Sequence, residues 1–446
     1  MRKIGIYVQV PFCQTKCTYC NFHTGVVASS RFAPYVEAVC GEIRGHSELL
    51  RAVGVGGGGA IDQKAHSPFE AQGEQEWLCH EDEGIADTVY IGGGTPSLLD
   101  PGHLQSLLDT IRQTFTAERP GCSGRSSATP LQKDLATGDE LGERLASEGE
   151  PYNGGLIEVT LEADPETVEG GKAEAWVRAG INRVSFGLQS FVDQELVAAG
   201  RMHRRADIYR AVPILRAAGI QNISFDLIAG LPFQTKESWR QSLDELAGLS
   251  PEHVSVYLLE IDEGSRLGTE LLGGGKKYSA GAVPSEDEMA EFYEAAQETL
   301  GAAGYHHYEI SNWAKPGFES KHNLKYWRRE PYLGFGAGAH SFSGTERWAN
   351  AHDAAGYVAA IQGGQLPVEQ HEKLTAAGAL EEELFLGLRQ LDGIDVGRIE
   401  KEYGVALAGR FDPLAAAGLV ERQGSLVRLA AKRLSVSNEV FVELMR

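Results

Sequence analysis

The chain has little positive charge, and this shortage excludes one large class of partners. Its 446 residues include 41 Lys and Arg against 62 Asp and Glu, which gives a formal net charge of -21 at pH 7. No stripe of Lys and Arg stands out along the sequence. Because such a chain repels phosphate backbones, we expect no nucleic-acid partner.

Long apolar runs are also lacking. No stretch approaches the roughly 18 to 20 consecutive apolar residues that a membrane-spanning helix requires. The amino-terminal segment MRKIGIYVQV carries a basic pair, but its apolar stretch is short and no small-residue cleavage site follows. We therefore predict a cytoplasmic protein, and the composition leaves association with a membrane surface open.

Cysteine is scarce, and half of it is scattered. Only six cysteines are present. Three of them, Cys40, Cys79 and Cys122, show no paired spacing. This pattern fits a reducing compartment better than a disulfide framework.

The other three cysteines form a single motif. Cys13, Cys17 and Cys20 lie in VPFCQTKCTYCNF, directly after the apolar stretch 4–10. Thiolates at this density indicate a metal site. A four-iron cluster held by three cysteines keeps one iron open to a ligand that is not protein. The alternative is a zinc site completed by His23, although zinc usually takes paired Cys-x2-Cys spacings.

Short β-like runs recur along the first two thirds of the chain, each followed by a helical pattern. Strands that alternate with helices predict a parallel sheet, and ligands gather at the carboxyl ends of such strands. The cysteine loop would follow the first of these ends. The runs are 4–10, 87–91, 156–163, 181–187, 221–230 and 253–261.

Two segments, at about 51–84 and 118–155, interrupt the alternation of strands and helices and are predicted to be exposed insertions. The first formally contains G-x-G-x-x-G, but no clear strand precedes it and little helix pattern follows, so a linker is favoured over a phosphate site. We expect a core over 1–266 and a linking, aromatic-rich region over 267–372. The final domain, 373–446, is predicted to contain helices closed by a hairpin, as in a winged-helix-like module.

Four further motifs follow the cysteines at predicted strand ends: YIGGGTPSLL (90–99), LEADPETV (161–168), FGLQSF (186–191) with GRMHRRAD (200–207), and DLIAGLP (226–232). The glycines allow close backbone approach to a ligand or form a plain strand-to-helix turn. In the second motif a carboxylate can bind an amine or ribose, or cap the next helix. We assign Glu162 to the ligand and Asp164 to the cap.

The cysteine spacing, the aromatic Tyr19 and this order of motifs resemble the radical S-adenosylmethionine superfamily. The resemblance implies an α/β fold, a partial (β/α)6 barrel, with a C-terminal α+β region. It also implies a [4Fe-4S] cluster on the three cysteines, with the methionine amine and carboxylate of S-adenosylmethionine on the open iron. The residues that would bind the cosubstrate are Tyr7, Gly92, Gly93, Gly94, Thr95, Glu162, Gln189, Arg201 and Asp226.

Within that superfamily the chain resembles the HemN/HemW branch, which contains oxygen-independent coproporphyrinogen III dehydrogenase and a haem chaperone. The dehydrogenase carries another Cys two positions after the third ligand, whereas Cys20 is followed here by Asn21 and Phe22. The chain also starts almost at the cluster strand. Both features favour the chaperone.

The segment HNLKYW (322–327) matches the chaperone's His-Asn-x-x-Tyr-Trp. His322 is therefore a candidate haem ligand, since neutral imidazole ligates haem iron well. The alternative is a histidine that forms local hydrogen bonds beside an aromatic cluster.

The resemblance implies a protein that binds haem and passes it to acceptor proteins, among them membrane-bound respiratory proteins. The alternative is radical decarboxylation of coproporphyrinogen III, so enzyme activity is left open. A third interpretation is a radical enzyme with another substrate. The sequence leaves the acceptor and the oligomeric state open.

Overall fold

The computed structural model describes residues 3–47, 84–115 and 155–444. Nearly all of both predicted insertions lies outside these ranges, as do Cys79 and Cys122. Within the described ranges, no helix is both long and apolar enough to cross a membrane.

Six parallel strands in chain order form the centre of one large sheet, as the recurring apolar runs predict. Each strand pairs with the next in parallel register. This is the arrangement of an open, partial (β/α)6 barrel. The strands are β1 (Lys3–Val10), β2 (Ile85–Gly93), β3 (Glu158–Ala163), β4 (Arg183–Gln189), β5 (Asn222–Ala229) and β6 (His253–Leu258).

Alternation along these strands separates an apolar face from a polar one. In β1, Ile6 and Val8 are fully buried, whereas Tyr7 and Gln9 on the opposite face are half-buried. The apolar faces pack with the helices in one core, since side chains alternate across a strand. The helices between β1 and β6 are α1 (Phe32–Arg44), α2 (Pro101–Phe115), α3 (Gly170–Ala179), α4 (Asp193–Ala198), α5 (Arg205–Ala218) and α6 (Lys236–Leu249).

The chain after β6 extends the sheet at both edges. The full strand order is β12-β11-β10-β9-β1-β2-β3-β4-β5-β6-β8-β7. β9 continues the parallel pairing beside β1, and the outer strands are antiparallel, so the sheet is mixed. These elements are α7 (Arg266–Leu272), α8 (Glu286–Ala302), β7 (His306–Glu309), β8 (Asn312–Ala314), α9 (Lys321–Trp327), β9 (Tyr332–Phe335), β10 (His340–Phe342), β11 (Glu346–Asn350), α10 (Ala354–Gln362) and β12 (Val368–Lys373).

The final segment forms helices around a small sheet of order β13-β15-β14. It contacts the main sheet through Arg389, which pairs with the buried Glu309 of β7 at 2.6 Å. The helices and the closing hairpin follow the sequence prediction, while the domain boundaries at 266 and 372 stay predictions. The elements are α11 (Ala376–Arg389), β13 (Ile394–Asp395), α12 (Val396–Tyr403), α13 (Ala408–Ala416), β14 (Val420–Gln423), β15 (Leu426–Leu429) and α14 (Ser437–Leu444).

Candidate functional site

The cysteine loop follows β1 directly and is held in place by backbone hydrogen bonds. The N–H of Cys13 donates to the carbonyl of Gly25 at 3.0 Å, and the N–H of Gly25 donates to the carbonyl of Pro11 at 2.9 Å. In the middle of the loop, the N–H of Thr18 donates to the carbonyl of Ala199 at 3.0 Å. The loop is therefore anchored both to its own base and to the segment that follows α4.

The three thiols of this loop are free and half-buried. Burial raises the pKa of Cys13 and of Cys20. The guanidinium of Arg201 donates a hydrogen bond to the sulfur of Cys17 at 3.5 Å. This donor set fits an iron–sulfur cluster, because a bound metal deprotonates thiols that burial keeps neutral.

Cys13 is near enough to Cys17 and Cys20 for the charges of the three sulfurs to interact. Among the residues that the structure describes, no group of three or more His, Cys, Asp or Glu side chains is arranged to hold a metal ion. His23, the fourth ligand of the zinc alternative, stacks on His352 with ring centroids 4.1 Å apart. His23 therefore has a ring partner outside the cysteine motif.

The glycine motif lies at the end of β2, against the start of the cysteine loop. The N–H of Gly94 donates to the carbonyl of Val10 at 2.8 Å. A Cβ on Gly94 would lie 2.4 Å from the carbonyl oxygen of Phe12, and Gly93 has a φ of +115. A Cβ on Gly92 would lie 3.0 Å from Glu162. The protein's own packing therefore requires these glycines, whether or not a ligand also approaches them.

Glu162 is the acceptor at the centre of the group beside these glycines. Its carboxylate accepts hydrogen bonds from the N–H of Gly93 at 2.9 Å and from the hydroxyl of Tyr90 at 2.8 Å. Burial raises the pKa of Glu162 to about 7. Tyr7 stacks on Tyr90 at 6.0 Å. The structure thus brings together Tyr7, the glycines and Glu162 from three adjacent strands.

Asp164 does not cap the next helical turn with its side chain, so that prediction is wrong. Its carboxylate forms an ion pair with Arg201 and accepts a hydrogen bond from the hydroxyl of Thr95 at 3.2 Å. Arg201 also donates to the carbonyl of Gly187 at 2.8 Å. A buried guanidinium needs a charged partner more than a short helix needs a side-chain cap. The LEADP segment therefore supplies the carboxylate that pairs with Arg201, and its aspartate is not a side-chain cap.

Gln189 and Asp226 lie on the two strands that complete the polar face. Gln189 is a non-glycine residue with a φ of 67, next to an irregularity in the register between β4 and β5. Such a conformation is strained and is common at binding sites. Asp226 lies inside β5 and not at its end. It accepts a hydrogen bond from Ser185 at 3.2 Å, and burial raises its pKa.

His322 lies on α9, at the opposite end of the strands from the cysteines. The ring is fully buried, with Nδ1 3.0 Å from the hydroxyl of Thr88 and Nε2 2.8 Å from the hydroxyl of Tyr326. Glu158, the first residue of β3, accepts its backbone N–H at 2.9 Å. Burial lowers the pKa of His322 to about 3. In this conformation both ring nitrogens have partners, which is the local hydrogen-bonding alternative, and neither is open to a haem iron.

Comparison with known families agrees with this geometry. A model described as the radical SAM superfamily matches residues 7–246, and one described as the HemN C-terminal domain matches residues 374–434. The chain belongs to the radical SAM superfamily. The radical SAM core thus covers all of the candidate site except α9.

Relatives place this radical SAM chain in the HemN/HemW branch. The heme chaperone HemW of Bacillus subtilis is 31% identical, covering 98% of this chain and 97% of its own length. HemW of Synechocystis sp. is 32% identical, with coverage of 87% and 78%. The structure of coproporphyrinogen III oxidase (HemN) from Escherichia coli, described as a radical SAM enzyme, superposes with a TM-score of 0.73 at 19% identity, over 99% of this chain and 90% of that one. The last comparison confirms the fold alone.

Proposed function

We propose that this protein is a haem chaperone, which binds haem and transfers it to acceptor proteins while it carries a [4Fe-4S] cluster and S-adenosylmethionine. The observation that carries the proposal is the similarity over nearly the whole chain to proteins named heme chaperone HemW. Those relatives match the C-terminal region as well as the core. Membrane-bound respiratory proteins are the acceptors we propose to test first.

The thiolates of Cys13, Cys17 and Cys20 would hold the cluster. When bound, it supplies an open iron for the cosubstrate and an electron that can cleave its sulfonium. Arg201 is the protein's own contribution beside the cluster. Its charge lies 3.5 Å from the sulfur of Cys17, and its pairing with Asp164 fixes the guanidinium in place.

The cosubstrate would lie along the carboxyl ends of β2 to β5. Glu162 holds its carboxylate beside the N–H of Gly93, where it can accept from an ammonium or a ribose hydroxyl. Gln189 and Asp226 present an amide and a carboxylate from the next two strands. Tyr7 and Tyr90 give this group an aromatic wall. These residues bind and orient, and we assign none of them to catalysis.

The second candidate function is oxidation of coproporphyrinogen III, and the fold shared with HemN favours it. Phe22 argues against it, because the dehydrogenase carries a cysteine at that position. The Phe22 side chain is 63% exposed.

One anaerobic preparation separates the two functions. Reconstituted protein with reductant, S-adenosylmethionine and coproporphyrinogen III should produce no protoporphyrinogen, and robust decarboxylation would refute the chaperone proposal. In parallel, haem is titrated into the same protein and then offered to an apo-haemoprotein. We expect saturable binding followed by transfer, and protein that fails to bind haem would contradict the proposal equally.

A further inference from the structure

Histidines from distant parts of the chain lie near one another beside the cysteine loop. The rings of His23 and His352 stack with centroids 4.1 Å apart and planes inclined by 30°. His340, in β10, is close enough for its charge to interact with His352. Burial, His352 and Arg347 lower the pKa of His340.

His352 is held against the backbone at a position that hydrogen bonding does not explain. A Cβ on Gly338, which has a φ of +72, would lie 3.0 Å from its Nδ1. That Nδ1 is buried and has no hydrogen-bond partner among the described residues. Burial of a nitrogen without a hydrogen-bond partner is unfavourable. The stacking contact with His23 is the interaction that the ring does make.

His23 is exposed and lies in a tight turn. In the sequence it stands between exposed apolar residues. The N–H of Thr24 donates to the carbonyl of Phe22 at 2.7 Å, so the backbone reverses around His23. Phe22 is 63% exposed and Val26 is 60% exposed. These exposed apolar side chains are close to His23 in the chain, where they can contact an apolar ligand bound at its imidazole.

We propose that haem binds at His23, beside the cysteine loop, with His23 as the axial ligand of the iron and His352 positioning its ring. Phe22 and Val26 would cover one face of the macrocycle. This inference rests on the proposed haem-chaperone function and assigns the ligand to His23 in place of His322. It also places the haem within about 11 Å of chain from Cys20, since three residues span no more than that.

The test is haem titration of the full-length protein, followed by its absorption spectrum. His23→Gly should raise the haem Kd by about tenfold or more and remove the spectral bands of imidazole ligation. Added free imidazole should restore those bands, which a merely structural role would not allow. His352→Ala should weaken binding while it keeps the bands, because His23 is still present.

His306→Ala is the matched control. His306 is also exposed, but it lies on β7, at the far edge of the sheet. We expect this variant to bind haem as the wild type does.

The outcomes separate this inference from the function it rests on. Wild-type protein that binds no haem would refute the chaperone proposal itself. Wild-type binding that His23→Gly leaves unchanged in affinity and spectrum would overturn only the ligand assignment. Loss of the imidazole bands in His322→Ala, with His23→Gly unaffected, would return the assignment to α9.

Discussion

Replacement of His322 by alanine should destabilise the protein most near neutral pH and progressively less in acid. The variant removes a fully buried ring and leaves the hydroxyls of Thr88 and Tyr326 without their partner. A cavity and two unpartnered groups together cost about 3 kcal/mol or more. Urea unfolding at pH 7.5 measures this loss as a lower midpoint.

The acid dependence follows from the pKa of His322, which burial lowers to about 3. An unfolded histidine has a pKa of about 6.5. Between these two values the unfolded chain binds more protons, so the stability of the wild type rises with pH and is lost as the pH falls below about 6.5. The loss of unfolding free energy is about 1.4 kcal/mol per pH unit, so at pH 5.0 the wild type is about 2 kcal/mol less stable than at neutral pH. The variant lacks this histidine and does not show this loss.

The difference in unfolding free energy between the two proteins should therefore shrink by about 2 kcal/mol from pH 7.5 to pH 5.0. The other buried histidines titrate in both proteins and cancel. His306→Ala, which removes an exposed ring, should show the same small difference at both pH values. A difference for His322→Ala that is constant or grows in acid would refute the burial of a neutral ring at this position.

Three further predictions concern the cluster and cosubstrate residues. Cys17→Ser should abolish bound iron and sulfide. Cys40 is a buried cysteine outside the motif, so Cys40→Ala should retain both. A full load of zinc in the wild type would contradict the iron–sulfur cluster. Gly94→Ala should lower the unfolding free energy by about 1 to 3 kcal/mol and weaken S-adenosylmethionine binding, because its Cβ would lie 2.4 Å from a carbonyl oxygen. Gly170 has open space around it, so Gly170→Ala should change neither quantity. The pKa of Glu162 is about 7, so its carboxylate becomes charged between pH 6 and pH 8. The affinity for S-adenosylmethionine, measured by isothermal titration calorimetry, should therefore rise about tenfold over this range. An equal rise in Glu162→Gln would exclude this carboxylate as the group responsible.

The central strands were predictable because a strand of a covered parallel sheet is a short apolar run. The run 4–10 became β1 (Lys3–Val10), and 181–187 became β4 (Arg183–Gln189). The outer strands gave no such signal. β12, at the edge, reads VEQHEK and is almost wholly exposed, so nothing in its composition separates it from a loop.

The neighbourhood of the site was also predictable, because the carboxyl ends of parallel strands meet at one edge of the sheet. Which partner each side chain contacts within the site was not predictable. Asp164 could cap a turn or pair with a cation, and only the fold shows that Arg201 is within reach. His322 and its partner Thr88 are separated by 234 positions. No local pattern reveals that such a ring will be enclosed.

Helix α9 has a consequence for how ligands exchange. It fills the amino-terminal end of the strands, where Lys325 pairs with Asp87 at 2.9 Å and with Glu330 at 3.2 Å. In the part of the chain that the structure describes, the other end, beside the cysteine loop, is then the entrance for a cosubstrate. Haem at His23, three residues after Cys20, would lie beside the same entrance. S-adenosylmethionine should therefore dissociate more slowly when haem is bound, and haem should be released before S-adenosylmethionine.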